Sequence, residues 1–410
     1  TVSSMTTAGP TSTAIRPDPT SWQLAAGEAW PGTSSRWLGV MGVIAALLGS
    51  QTLAASTPLS SDVRLLLPSE GLLAGLGDGL RRGYGLAMEQ SRSCGITPPS
   101  LQLGWLPPGT DPRPPLSSGP RSELLVAPPA APLAAYGELA EQQHLTVLLP
   151  LQRGSSLDGL PRLKGADRLW PIVPARSLEA DRLAEGLLAD GIRRVMVVRD
   201  ASADSRALSE RFVASFSNGR GVVIGPTAEP ISLNADDRVA VDQLISDVDW
   251  YRPPALVVLT SAGSPLARRL QKASWPEGLL LAWPFRLQTS LEHAQLGVDP
   301  QSRGEAWESF AQHFQQRWGY SPGLVESAGY DTGVIAALAS VRSAGRAGWD
   351  LHWFSSTAKP LPLCEAAQQR SQGARLRPEG ASSHLDLSAG ISPGAALLLN
   401  HRAAAATSTP

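Results

Sequence analysis

From residue 61 onward the chain alternates short apolar runs with longer amphipathic stretches, and that alternation restricts the folds open to it. Strands are expected over 63–67, 101–105, 123–127, 146–149, 194–199, 222–224, 255–259 and 279–282. Several are β-branched and continuous rather than alternating, the pattern of strands covered on both faces. Between them the spacing predicts helices over 79–90, 133–143, 178–190, 205–216, 237–248 and 265–273. Strand and helix repeated in this order imply parallel sheets with right-handed crossovers. Further on, Trp307, Phe310, Ala311, Phe314 and Trp318 form one helical stripe, stopped by 319–322, and a second helix follows over 325–341. Stripes at that spacing are core rather than a ligand box.

At 410 residues the chain is long enough for two domains. Its formal charge of −1, from 35 basic and 36 acidic residues with no basic block, gives nucleic acid no electrostatic footprint. Cys94 and Cys364 lie far apart and in no metal-ligand spacing. They read as two small buried thiols, with a pair as the other reading if the protein is exported. Residues 1–35 are rich in Ser, Thr, Pro and Gly, as in a disordered leader or a start assigned too early. After Arg36 an apolar run over 37–48 leads to small residues at Ala54 and Ala55, which reads as a signal segment over 36–55. An uncleaved membrane anchor is the competing reading. The tail over 401–410 is expected to fray.

No P-loop, HExxH or GxSxG motif is present. Gly75, Gly77, Gly79, Gly83 and Gly85 follow the first strand without GxGxxG spacing. They suit a tight strand-to-helix turn, or a helix start whose N–H groups face an anion. The histidines His144, His293, His313, His352, His384 and His401 are scattered, and none pairs at metal-ligand spacing. No metal, cofactor or catalytic set is expected, and the chain reads as a binder rather than an enzyme.

The order of segments resembles the type I periplasmic solute-binding proteins, in the leucine/isoleucine/valine-binding branch of ABC-transporter receptors. The resemblance runs from 63–68 and 79–89 through 169–173, 180–192 and 194–200 to the stretch over 310–337. Its most telling element is Gly329, Tyr330 and Asp331 at a helix start; in the family, Tyr and Asp there help set the inter-lobe structure. Residues 385–388 and 395–400 resemble the closing strands. The resemblance implies two doubly wound parallel-sheet α/β lobes joined by three crossings. The first lobe would take 62–173 and 285–345, the second 174–284 and 350–400. It also implies a solute cleft at the carboxyl ends of the strands, lobe closure around the solute, a periplasmic location and an inner-membrane ABC permease as partner. A monomer is expected.

The ligand loops depart from the family. The first, over 127–132, holds no hydroxyl, and its three prolines supply no N–H. The second, over 152–156, offers Arg153, Ser155 and Ser156. With Ser202, Thr260 and Trp283 these are the candidate ligand residues: Arg153 to fork onto an acidic group, Trp283 for an apolar face or as core. A zwitterion needs matched partners at both ends, so a solute with one acidic group or an amide fits better than a free α-amino acid. The competing function is an interaction or regulatory domain with a degenerate cleft.

Overall fold

The computed structural model describes residues 61–403 apart from 69, 72, 118–120, 288–291 and 301–302. The leader and the signal segment therefore lie outside the described residues. In chain order the first part contains β1 (Ser61–Leu67), α1 (Ala74–Ser93), β2 (Leu101–Trp105), α2 (Arg113–Ser117), β3 (Ser122–Val126), α3 (Leu133–Gln143), β4 (Thr146–Leu149) and β5 (Leu169–Pro171). Then come α4 (Ser177–Ala189), β6 (Arg194–Arg199), α5 (Ala203–Asn218), β7 (Val222–Val223), β8 (Ile231–Ser232), α6 (Arg238–Tyr251), β9 (Ala255–Leu259), α7 (Pro265–Gln271), β10 (Leu280–Trp283) and β11 (Gln295–Asp299). The last part holds α8 (Trp307–Trp318), α9 (Leu324–Ser340), β12 (Pro360–Leu361), α10 (Leu363–Ser371), β13 (Arg377–Pro378) and β14 (Leu398–Arg402).

Two main sheets define two lobes. The first is parallel throughout, in the order β2-β1-β3-β4-β5. The second runs β14-β11-β10-β9-β6-β7, with β8 beside β6 and only β14 antiparallel. Each sheet is covered on both faces, which is why its central strands read as unbroken apolar runs. In the first lobe Val63, Leu65 and Leu67 pack with α1, α8 and α9, while Leu66, Leu125 and Val147 pack with α3. In the second, Val195 and Val257 face α4 and α5, and Met196 and Leu256 face α6 and α7. This is the expected doubly wound α/β architecture.

The lobe boundaries differ from those read in the sequence. Gln295–Asp299, assigned there to the first lobe, is a strand of the second sheet, paired with β10 and β14. Conversely Leu351, Trp353, Phe354, Leu376, Leu385 and Leu387, assigned to the second lobe, pack into the first lobe's core. The three crossings thus fall near 172–176, between the end of β11 and the start of α8, and near 388–396. The 385–388 segment is not a closing strand; Ser388 makes only an isolated bridge to Ile391. His401 and Arg402, expected to fray, pair with Leu296 and Gln295. Apolar residues alone cannot say which of two similar cores they join.

The cysteines are joined rather than free. Cys94 at the end of α1 and Cys364 in α10 form a disulfide across 270 residues of chain, which the folded first lobe brings together. The glycine-rich stretch is likewise neither a turn nor an anion cradle. Gly77, Gly79, Gly83 and Gly85 lie inside α1, and a Cβ on Gly83 would sit 1.9 Å from the Glu326 carbonyl oxygen of α9. On α9 a Cβ at Gly329 would sit 2.2 Å from the Leu80 carbonyl, and one at Gly333 2.6 Å from the Ala87 Cβ. Gly83, Gly329 and Gly333 let the two helix backbones touch.

Candidate functional site

The lobes meet where the chain leaves the carboxyl ends of β4, β6 and β9. Past β4 the chain forms a short 3-10 helix, Ser155–Arg162, whose first N–H groups have no helical partner. Past β6, Ser202 caps α5: its Oγ accepts from the Ser205 N–H, and Asp204 follows in the first turn, where the helix dipole favours a carboxylate. These two starts face each other. The Ser155 N–H and hydroxyl both donate to Asp204 Oδ1, at 3.0 and 2.6 Å. Gly154 permits the approach, since a Cβ there would lie 3.1 Å from both Asp204 carboxylate oxygens. The Ser155 hydroxyl, and then the Ser155 N–H and Arg176, hold the Asp204 carboxyl below the usual range against its burial and the nearby Asp200.

Behind this contact lies a buried ion triad. Glu179 is almost wholly enclosed and takes Arg153 Nη2 at 2.8 Å and Arg176 Nε at 3.4 Å. Arg153 Nε also donates to the Pro174 carbonyl at 2.9 Å. Arg176 reaches the second lobe, its Nη1 3.2 Å from Ser261 Oγ and its Nη2 3.4 Å from the Thr260 carbonyl. The crossings are laced together here. Ser392 Oγ accepts from the Ala175 N–H at 2.8 Å, and Ser383 Oγ donates to the Ile172 carbonyl at 3.2 Å. Arg153, Gly154, Ser155, Arg176, Asp204 and Leu208 border a cavity of about 10 Å³, room for about one water.

The structure brings Arg153 and Ser155 to the seam but gives both protein partners. Arg153 serves Glu179 and the first crossing, so its guanidinium does not fork toward an open cleft. Ser156 is exposed on the 3-10 helix, and Ser202 is the α5 cap. Thr260 is fully buried; its hydroxyl bonds the Asp200 carboxylate and lies 3.0 Å from Ser264 Oγ. Burial would raise the Asp200 carboxyl, but hydrogen bonds from Ser202 and Thr260 together hold it below the usual range. Trp283 presents no face to a solute. It has no exposed surface and packs against Phe285 in the α6/α7 core of the second lobe, ring centroids 5.3 Å apart. The first-loop carbonyl of Pro128 is tied to Gln152 Nε2 at 3.0 Å.

Gly329, Tyr330 and Asp331 all lie in α9. Gly329 makes the helix contact, and Tyr330 donates to Gln90 Oε1 at 2.6 Å. Asp331 accepts from the Ala381 and Ser382 N–H groups at 2.6 and 2.8 Å, and from the Ser382 hydroxyl at 2.6 Å. It thereby holds the segment whose Ser383 braces the first crossing. Burial pushes the Asp331 carboxyl up to about 7 against the pull of these donors. Sequence reasoning missed Arg176, Glu179 and Asp204. The only local trace was the Arg176–Glu179 spacing and a carboxylate two residues after a capping serine, patterns that any helix start can show.

No family model matches the sequence, and no curated protein matches it. Solved structures do share its architecture. An ABC-transporter solute-binding protein from R. palustris, in complex with benzoate, gives a TM-score of 0.56 at 17% identity, covering 83% of this chain and 92% of that one. A putative branched-chain amino acid ABC transporter protein from Silicibacter pomeroyi gives 0.56 at 13%, covering 80% and 87%. A substrate-binding protein from Desulfitobacterium hafniense, in complex with Leu, gives 0.55 at 12%, covering 83% and 96%. At these identities the likeness is one of fold.

Proposed function

We propose that this chain, whose fold is that of the type I periplasmic solute-binding proteins, captures a small solute between its lobes outside the cytoplasm and presents it to an inner-membrane ABC permease. The observation that carries the reading is the seam. Two helix starts with donors and charged groups face each other from separate lobes, beside three crossings that can act as a hinge. The disulfide supports an oxidising, extracytoplasmic setting. The solute is bound and not transformed.

A solute with a single acidic group suits the seam best. The Ser155 N–H and hydroxyl form a pair of donors aimed at one carboxylate oxygen, and Arg176 adds positive charge beside them. The loop over 127–132, without hydroxyls and strapped through Pro128, offers little to an ammonium group. Benzoate, bound by the R. palustris protein, is a carboxylate of this kind. The test is thermal shift followed by calorimetry on the exported chain with benzoate, other monocarboxylates, small amides, leucine and glutamate. A monocarboxylate or amide should raise the melting temperature, because a ligand that binds only the folded state stabilises it. If no compound does so, the chain is an interaction or regulatory domain with a degenerate cleft. Tight leucine binding that survives Ser155→Ala would overturn the proposed solute class.

A further inference from the structure

We propose that Asp204 is a built-in occupant of the seam's anion site: the second lobe's carboxylate sits on the first lobe's Ser155 donors, latches the lobes, and must be displaced by an incoming solute carboxylate. The donors are a backbone N–H and a hydroxyl that converge on one oxygen at 3.0 and 2.6 Å, the arrangement a ligand carboxylate would seek. The occupant arrives from the other lobe at a helix start that favours its charge. Gly154 lets the carboxylate approach, since a Cβ there would lie 3.1 Å from both its oxygens, and the remaining cavity of about 10 Å³ cannot hold a solute beside it. Contact and competition therefore exclude each other: with Asp204 on Ser155 the lobes are joined, and with a solute there Asp204 must withdraw. Arg176, which reaches the Thr260 carbonyl and Ser261 from the first crossing, remains as a second inter-lobe tie. The competition rests on the solute reading above; the latch rests on the hydrogen bonds alone.

The experiment compares wild type with Asp204→Ala and Ser155→Ala by small-angle scattering and by benzoate calorimetry. Asp249→Ala, an exposed acid at the end of α6, serves as the charge control. Without solute, Asp204→Ala should increase the radius of gyration as the lobes part. It should also tighten benzoate binding roughly tenfold, because the binding-competent form is no longer depleted by the internal carboxylate. Ser155→Ala should open the lobes less, since its N–H remains, while weakening benzoate. An unchanged radius of gyration in folded Asp204→Ala and Ser155→Ala overturns the latch. Opening accompanied by weaker or equal benzoate binding in Asp204→Ala overturns the competition. Opening in a protein that binds no carboxylate in any form removes the solute reading and the competition while confirming the latch.

Discussion

The contact between α1 and α9 admits a test in which one substitution, made at two positions two residues apart, has opposite signs. At Gly83 an added Cβ would lie 1.9 Å from the Glu326 carbonyl oxygen and 2.8 Å from the Tyr330 nitrogen. Both neighbours are backbone, so no side chain can rotate away. An ordinary contact needs about 3.5 Å, so the helices would have to part by roughly 1.5 Å. Separation on that scale loosens the packing of Leu80, Tyr84, Val334 and Leu338 in the first lobe's core. Overpacking of this kind costs about 3 kcal/mol, and the better helix propensity of alanine returns up to about 1 kcal/mol. Gly83→Ala should therefore lose about 2 kcal/mol and melt about 5 °C lower. At Gly85, on the same helix, no atom of the described residues lies within 4 Å of the added Cβ. Gly85→Ala should gain up to about 1 kcal/mol from helix propensity alone. Urea denaturation followed by far-ultraviolet circular dichroism, with the slope checked for constancy, measures both. Shifts of the same sign, or a neutral Gly83→Ala, would show that the helices are not in backbone contact.

Cys94→Ser should lower stability by about 5 kcal/mol if chain entropy dominates, since the bond closes 270 residues; wild type unfolded with and without reductant should show the same gap. Arg153→Ala leaves Glu179 buried with only the longer Arg176 contact and should cost about 2–3 kcal/mol, a drop in melting temperature that appears without any solute. Asp331, with its folded carboxyl at about 7 against an ordinary 3.8, stays protonated in the folded state through a window where the unfolded chain has lost that proton. Its contribution is therefore full below about pH 4 and is lost as pH rises to 7, with a slope of up to about 1.4 kcal/mol per pH unit. Asp331→Asn should remove that slope in urea titrations between pH 4.5 and 8, and should lose about 1–3 kcal/mol because an amide cannot accept from every donor around it.

Much of the fold was legible in the sequence because its signals are local. The runs over 101–105, 146–149, 194–199 and 255–259 are strands with those bounds, and α3 occupies the predicted 133–143. Strands 146–149 and 255–259 are buried on both faces and must be apolar throughout, a one-sided helix must show its stripe, and the edge strand 101–105, with Leu101, Leu103 and Trp105 exposed, alternates in burial instead. β5, β8 and β11 were not predicted as strands; β8 has two residues and β5 three, too few for any period to show. The site was legible only as a neighbourhood: Arg153 and Ser155 do stand at the seam, but their partners Glu179 and Asp204 come from beyond the first crossing. The same distance in sequence hid the Cys94–Cys364 bond and the meeting of Gly83 with the Glu326 carbonyl. Composition and periodicity decide which face of an element is buried, because burial follows from the residues on that face alone. Which carboxylate takes which donor, which thiol meets which, and whether Trp283 lines a cleft or fills a core depend on two segments arriving at one place, and only the packed chain determines that.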